Sequence, residues 1–200
     1  MIDRGLRSLS NHGLTVLLDR DGVINRNRSD YVKSWEEFEF LPRSLAALRM
    51  LAEHDVTVIV VTNQSAVGRN LLALGELERI HARMNAEVEA HGGRIDAVLC
   101  CPHAPGDGCA CRKPRPGLLL EAMKRFSIDP DLCYVVGDST NDLLAARAVG
   151  IPFIMVMTGL GPQSLISPDY DNAPSWVTRD LNAAVDWILS REGCLRREAA

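Results

Sequence analysis

The amino-acid sequence predicts a single α/β domain of Rossmann-like type, in which a parallel β-sheet carries helices on both faces. Short apolar runs alternate along the chain with longer segments of helical periodicity, the order that right-handed crossovers between parallel strands require. The run at residues 56–61 is almost wholly β-branched, as in strands that are buried on both faces. Two hundred residues are enough for one domain with a sizeable core.

The first half of the predicted domain begins with a strand at residues 15–18. Pro42 suits the first turn of a helix, and Leu45, Leu48 and Leu51 follow at helical spacing. After the strand at 56–61, a helix at 75–91 places Leu77, Ile80, Met84 and Val88 on one face. We expect His81 and His91, which have no ligand partner at useful spacing, to be solvated surface histidines.

The second half continues the alternation without repeats or linkers. Strands are predicted at residues 95–100, 134–136 and 153–157, with a short edge strand at 176–177. Helices are predicted from Pro116, at 140–149 and at 182–189, and Gly150 stands in the expected stop position. We therefore expect a domain at 14–190, a flexible leader at 1–13 and a tail at 191–200.

One long connection, residues 25–41, contains Tyr31, Trp35, Phe38 and Phe40 and is too aromatic for a plain linker. The sequence leaves two interpretations of this loop open. It either packs over a site beside Asp19 and contacts substrate, or it forms a satellite hydrophobic cluster.

Composition excludes several function classes. Twenty-two Lys and Arg residues against 26 Asp and Glu residues give a net charge of −4, which leaves no basic stripe for nucleic acid or a membrane surface. No apolar run approaches the length of a membrane span, and the first 13 residues lack the apolar segment of a secretory signal. The expectation is a monomer in the cytoplasm that acts on a small molecule.

Reactive side chains follow the predicted strands at the point where each strand ends. Asp19 and Asp21 follow the first strand, Thr62 and Asn63 follow the second, and Asp138 follows the strand at 134–136. Ligands of open α/β sheets bind at the carboxyl ends of strands, so these side chains are expected to converge there. Three of them have an ordinary alternative: an Asp-Gly turn at Asp21, a strand-end hydroxyl at Thr62, and a helix cap at Asp138.

Four of the six cysteines lie between residues 100 and 111, too close together to connect distant parts of the chain. Three thiols and an imidazole, from Cys101, His103, Cys109 and Cys111, make a full tetrahedral set for a structural Zn²⁺. A disulfide cluster is the alternative, and Cys100 is the rival ligand, although strand alternation points it away from Cys101. We expect isolated Cys133 to be a small buried hydrophobe and Cys194 to be a tail residue.

Four motifs in order give the chain a specific resemblance: DRDGVIN from Asp19, VVTNQS ending at Ser65, CRKPRPG from Cys111 and VGDSTND from Val136. Over residues 14–189 it resembles the haloacid dehalogenase (HAD) superfamily. More narrowly, it resembles the capless phosphatases that include the heptose-bisphosphate and histidinol-phosphate phosphatases. No insertion between the motifs is large enough to form a cap domain, so an open site is expected.

The resemblance implies a mechanism and two metals. Asp19 would attack phosphorus and form an aspartyl-phosphate, while Asp21 would act as general acid and then general base. Mg²⁺ would be held by the Asp19 and Asp138 carboxylates and the Asp21 backbone carbonyl. The Thr62 hydroxyl and the Asn63 backbone N–H would hold phosphoryl oxygens, with Lys113 as the compensating cation. The zinc loop at 101–111 would hold the cations that follow it without taking part in the chemistry.

Further substrate contacts are expected from Ser65, Arg112 and Ser139. Ser65, in the NQS sequence, and the aromatic stretch DYVKSWEEFEFLP favour the heptose-bisphosphate branch, whereas the five-residue spacer between His103 and Cys109 resembles the histidinol-phosphate branch. Ser139 stands where the heptose enzymes have a lysine. Asp142 either supports the metal ligands without binding the metal itself, or stabilises the start of its helix through a favourable interaction with the helix dipole. The alternative from a different function class is a non-catalytic binding module that zinc stabilises.

Overall fold

The structure, a computed structural model, describes residues 13–168, 170 and 176–194. Its centre is a six-stranded parallel sheet with the strand order β3-β2-β1-β4-β5-β6. The strands are β1 (Thr15–Leu18), β2 (Thr57–Asn63), β3 (Ala97–Cys101), β4 (Cys133–Gly137), β5 (Phe153–Val156) and β6 (Trp176–Thr178). This confirms the predicted fold class, including the short edge strand that begins at Trp176.

Helices cover both faces of the sheet, as the buried β-branched strand required. The α-helices are α1 (Ser44–Glu53), α2 (Ser65–Gly68), α3 (Leu74–Ala90), α4 (Gly117–Phe126), α5 (Thr140–Ala148), α6 (Gly161–Leu165) and α7 (Leu181–Arg191). The buried faces of α1, α3 and α7 pack on one side of the sheet, and those of α4 and α5 pack on the other. Alternation along β1 divides its side chains accordingly, since Val16 and Leu18 face the first layer and Leu17 the second.

The differences from the predicted elements lie mostly at their ends. Strand β2 runs two residues further than predicted, through Thr62 and Asn63, because both residues still pair with β3. The short helices α2 and α6 were not predicted, since four or five residues carry no helical periodicity. Most of the expected leader, residues 1–12, and residues 195–200 of the expected tail lie outside the described residues.

The expectation for His81 was wrong, whereas His91 is exposed as predicted. His81 is 7% exposed, and its Nε2 lies 3.0 Å from Nη1 of Arg20. The sequence held a signal for this burial, because position 81 lies four residues after Leu77 and three before Met84, on the apolar stripe of α3.

The aromatic connection is a cluster packed against the first layer of the core. Trp35 stacks on Phe38 at 5.0 Å between ring centroids, and Phe40 meets Phe38 edge-on at 5.0 Å. Thus the satellite-cluster interpretation describes most of this loop. The loop also approaches the strand ends, since the Arg20 guanidinium carbon lies 5.9 Å from the Phe38 ring centre.

The part of the chain that the structure describes contains no helix long and apolar enough to cross a membrane.

Candidate active site

The register of the three central strands places their ends side by side. Leu18 of β1 is aligned with Val60 of β2 and with Val136 of β4. Asp19 follows directly, and its backbone N–H donates to the Val136 carbonyl at 3.0 Å. Parallel pairing therefore brings the residues after β1, β2 and β4 to one edge of the sheet, as the sequence predicted.

A buried lysine joins two of the carboxylates at this edge. Nζ of Lys113 lies 3.0 Å from Oδ1 of Asp19 and 2.5 Å from Oδ1 of Asp142. It also donates to the Val61 carbonyl at 2.7 Å, so three oxygen atoms surround the ammonium group. Lys113 is 4% exposed, so it is not a solvated surface charge.

The two sides of this ion pair have shifted proton affinities. Burial raises the pKa of Asp19 to about 6 despite the opposing charge of Lys113, and Asp142 and Asp21 add to the increase. Burial by itself would lower the pKa of Lys113, but the charges of Asp142 and Asp19 outweigh it and raise that pKa. The lysine is therefore a fixed cation at neutral pH.

Asp138 completes a group of three carboxylates with Asp19 and Asp142, whose nearest oxygens all lie within 4.8 Å of one another. Burial, reinforced by the charges of Asp19 and Asp142, raises the pKa of Asp138 to about 8. Its Oδ2 accepts a hydrogen bond from the Leu160 N–H at 2.7 Å. Three crowded acids against one ammonium leave uncompensated negative charge, and hard oxygen donors are what Mg²⁺ prefers. The donor set therefore fits a magnesium ion.

Two glycines make room for the Asp138 carboxylate. A Cβ atom at Gly22 or at Gly159 would overlap its Oδ2 atom, and both residues have positive φ angles, +86° and +54°. Gly22, directly after Asp21, thus lets the first loop approach the acid at the end of β4.

Asp21 has a contrasting environment, in which four hydrogen bonds reach its carboxylate. Nη2 of Arg20 donates to both oxygens at 3.0 Å, Nδ2 of Asn25 to Oδ1 at 2.9 Å, and Nε2 of Gln64 to Oδ2 at 2.8 Å. Burial favours the neutral form, but the Arg20 charge and these donors together lower the pKa of Asp21 below its usual value. Its side chain is 22% exposed, so it remains accessible to a ligand.

The residues that end β2 connect the two acids to their surroundings. Nε2 of Gln64 also donates to the Thr62 hydroxyl at 2.9 Å, which ties Thr62 to Asp21. The Asn63 side chain donates to the Lys113 carbonyl at 3.0 Å and accepts from the Lys113 N–H at 3.1 Å. Asn63 therefore fixes the lysine's backbone against the end of β2.

Three residues that the sequence predicts to contact substrate have different surroundings in the structure. Nη1 of Arg112 is buried and has no hydrogen-bond partner. Ser139 is the N-cap of α5, and its hydroxyl donates to Asp142 at 2.5 Å. Ser65 is buried at the start of the short helix α2. Their contacts with substrate remain predictions.

Sequence reasoning missed three residues of this network, Arg20, Asn25 and Gln64, and the ion pair between Asp142 and Lys113. Asp142 caps α5 in a reciprocal capping box with Ser139 and also pairs with Lys113, so it combines two roles. Gln64 stood within the quoted VVTNQS motif, and its polar neighbours were the available signal. Arg20 and Asn25 stood within DRDGVIN, but their contacts depend on the fold.

The cysteine-rich loop forms a second cluster. Sγ of Cys101 lies 3.6 Å from Nδ1 of His103 and 3.6 Å from Sγ of Cys109, while Sγ of Cys111 lies 3.3 Å and 3.5 Å from the same two atoms. A tetrahedral zinc ion needs donor atoms roughly 3.4–3.8 Å apart, so the spacing fits. A disulfide would bring sulfurs to about 2.05 Å, and the described cysteines are all free.

Cys100 and Cys133 behave as predicted. Cys100 lies on the opposite face of β3, half-buried against the first core layer, and so is not part of the cluster. Cys133 is fully buried in the second layer.

Comparison with known proteins agrees with this geometry. The profile of the HAD-hydrolase-like family matches residues 110–184. The D-glycero-beta-D-manno-heptose-1,7-bisphosphate 7-phosphatase of Pseudomonas aeruginosa is 42% identical over 153 residues, which cover 76% of this chain and 86% of that protein. The chain belongs to the heptose-1,7-bisphosphate 7-phosphatase family of the HAD superfamily.

Other members of the heptose-bisphosphate phosphatase family show the same relationship. The D,D-heptose 1,7-bisphosphate phosphatase of Bordetella bronchiseptica, solved with magnesium and phosphate, superimposes with a TM-score of 0.85 at 38% identity, covering 89% of this chain and 99% of that one. The Mycobacterium bovis relative, named for the alpha anomer, is 42% identical over 140 residues, 69% of this chain and 74% of that protein. The resemblance stated from the four motifs is thereby confirmed.

Proposed function

We propose that this chain is a Mg²⁺-dependent phosphatase that removes the 7-phosphate of D-glycero-D-manno-heptose 1,7-bisphosphate. The observation that carries the proposal is the pair of acids at the end of β1 in contrasting environments. Asp19 lies against the buried Lys113, and Asp21 is held two residues away by four hydrogen bonds from three side chains. A non-catalytic binding module would have no need for the second acid.

In the first step an Asp19 carboxylate oxygen attacks phosphorus, and the bond between phosphorus and the sugar oxygen breaks. Asp21 gives a proton to that oxygen, so that the sugar leaves as a neutral alcohol and an aspartyl-phosphate forms on Asp19. The low pKa of Asp21 in the free enzyme favours its ionised form. An anionic phosphoryl group beside it raises that pKa and thereby favours the proton that the acid role requires.

In the second step the now ionised Asp21 takes a proton from water, and the water oxygen attacks phosphorus. The bond to Asp19 breaks, phosphate leaves, and both acids return to their starting state. The Thr62 hydroxyl and the Asn63 N–H are placed at the end of β2 to hold phosphoryl oxygens, and Lys113 balances the charge on Asp19.

Magnesium would be held by the carboxylates of Asp19 and Asp138 and by the backbone carbonyl of Asp21. When bound, the ion would offset the repulsion between the anionic nucleophile and the anionic phosphate. Asp19 and Asp138 belong to the crowded group of acids, which supports their part in this assignment, as does the magnesium in the B. bronchiseptica structure.

The zinc loop would contribute to substrate binding through the residues that follow it. Arg112 comes immediately after Cys111, and its buried, unpartnered Nη1 supports contact with an anionic substrate group. Ser65 and Ser139 are proposed to line the same opening. We propose a monomer as the active unit and the cytoplasm as its compartment, where thiols stay reduced and can hold zinc.

The test is phosphate release from a panel of phosphorylated metabolites in the presence of Mg²⁺. It includes heptose 1,7-bisphosphate of both anomers, histidinol phosphate and fructose 1,6-bisphosphate. We expect kcat/KM for one heptose bisphosphate anomer to exceed the other values at least tenfold, with loss of the 7-phosphate. Histidinol phosphate is the second candidate, favoured by the five-residue spacer in the zinc loop. A tenfold preference for it would overturn the assignment.

A further inference from the structure

Among the described residues, Arg20 is the one cationic side chain that contacts the Asp21 carboxylate. It is 1% exposed, and its Nη2 spans both Asp21 oxygens at 3.0 Å. Because both contacts come from one nitrogen of a planar guanidinium, their direction depends on how that plane is rotated. Whatever holds the Arg20 guanidinium therefore helps to orient Asp21, together with Asn25 and Gln64.

Two groups from outside the strand ends hold the Arg20 side chain. Nε2 of His81, from the middle of α3, lies 3.0 Å from Nη1, the nitrogen that Asp21 does not use. The Phe38 ring lies 5.9 Å from the guanidinium carbon. The Arg20 Nε atom has no hydrogen-bond partner, so the hydrogen bond from Nη1 to His81 is the second directional contact that sets the rotation of the guanidinium plane.

The hydrogen bond requires a neutral imidazole, because arginine can only donate. Burial, with the neighbouring Arg20 charge, lowers the pKa of His81 to about 3, so Nε2 is a permanent acceptor at neutral pH. His81 also borders a cavity of about 160 Å³ that includes Leu77 and Asn85 of α3 and Cys100 of β3. A shorter side chain at position 81 would extend this cavity towards the guanidinium and admit water beside it.

We propose that His81 is a positioning residue for phosphoryl transfer, which accepts a hydrogen bond from Arg20 and so holds the guanidinium that orients Asp21 for proton transfer. His81 does not touch substrate, and its effect passes through Arg20. The inference rests on the proposed function, since it assigns Asp21 the proton-transfer role. It predicts a loss in kcat with little change in KM, because orientation of the acid matters for the chemical step.

The experiment compares His81→Asn with His81→Gln, two neutral polar replacements of different reach. The Gln side chain can place an amide oxygen near the Nε2 position, whereas the Asn side chain is too short. We expect His81→Asn to lower kcat about tenfold with KM within twofold, and His81→Gln to recover kcat to within about threefold of wild type. His91→Asn, at an exposed position that caps the same helix, is the control and should match wild type.

A double-mutant cycle gives an independent measurement. The Arg20→Lys variant has no guanidinium plane to orient. In that background, His81→Asn should cause no further loss of kcat. Equal kcat in wild type and His81→Asn, equal losses in the Asn and Gln variants, or additive losses in the cycle would each overturn the inference. Failure of the proposed function would look different, because wild type and His91→Asn would then also release no phosphate from the heptose bisphosphate.

Discussion

Asp19 and Asp21 are the same residue type two positions apart, yet their surroundings separate their proton affinities. Burial raises the pKa of Asp19 to about 6, while Arg20, Asn25 and Gln64 lower the pKa of Asp21 despite its burial. Carboxyl groups whose environments differ in this way can take different roles in one reaction. The local sequence shows both acids, but only the fold supplies the groups that distinguish them.

The role of Asp19 is tested by Asp19→Asn. An amide cannot act as the nucleophile, so we expect phosphate release to fall at least about 1000-fold while the circular dichroism spectrum is unchanged. Asp131→Asn, at an exposed position before β4, should keep wild-type activity. Near-normal turnover by a folded Asp19→Asn protein would contradict the mechanism.

The buried lysine makes a separate prediction about stability. Replacing Lys113 by Met leaves Asp19 and Asp142 without the cation that both contact, and breaking a buried ion pair from one side costs about 3–5 kcal/mol. We expect the free energy of unfolding, measured by urea denaturation at pH 8, to fall by about 3 kcal/mol, and phosphatase activity to be lost. Lys124→Met, at an exposed position on α4, should change stability by less than about 0.5 kcal/mol. Similar unfolding curves for both variants would refute this view of Lys113.

At the scale of elements, long apolar patterns were predictable and short or polar ones were not. The sheet followed from the runs at β2 and β4, and its carboxyl edge followed from the polar residues after them. Helix α2 was missed because its four residues have no period, and His81 was misassigned because a polar residue on an apolar stripe was read by type rather than by position. Contacts such as Gln64 with Asp21 join residues 43 positions apart, which no local pattern records.

The zinc loop is an element whose order we expect to depend on metal. Between β3 and α4 it has only one short 3-10 turn, Pro105–Asp107, and no apolar pattern of its own. Elemental analysis of freshly purified protein should find one zinc per chain. Cys109→Ser should lose it, and Cys194→Ser, outside the cluster, should retain it. The absence of metal from wild-type protein would defeat the assignment.

The same loop leads into the active site, so loss of zinc should affect substrate binding more than the core. Lys113 follows Cys111 by two residues and is anchored to Asn63 by two hydrogen bonds. We expect zinc-free protein to keep its far-ultraviolet circular dichroism spectrum but to show a KM raised about tenfold. A spectrum that collapses with zinc removal would mean that the metal supports the whole domain rather than the loop.

At the scale of the whole molecule, the strand order decides where charge collects. With β1 at the centre between β2 and β4, the acids from β1 and α5 and the lysine after β3 meet at one edge, although Asp142 follows Asp19 by more than 100 residues. Folding therefore concentrates three buried carboxylates around one lysine. Such a concentration of charge links stability to pH and to magnesium.

The sign of this linkage follows from Asp138, whose pKa is about 8 in the folded protein and near its ordinary value of 3.8 in the unfolded chain. Between pH 6.5 and pH 8 the folded state therefore binds more protons than the unfolded state, so stability falls as pH rises. His81, with a folded pKa of about 3, acts in the opposite direction, but mainly below its ordinary value of 6.5. We expect protein dialysed free of magnesium to lose about 1–2 kcal/mol of unfolding free energy across this interval.

Urea denaturation at pH 6.5 and pH 8 measures the difference, with Asp138→Asn as the matched control. The amide does not titrate, so the variant should show little change in stability across the interval. Saturating Mg²⁺ should also remove the slope in wild type, because the ion replaces the proton as the partner of the ionised carboxylate. An equal slope in wild type and Asp138→Asn would show that the pH dependence arises from other groups and would contradict the raised pKa of Asp138.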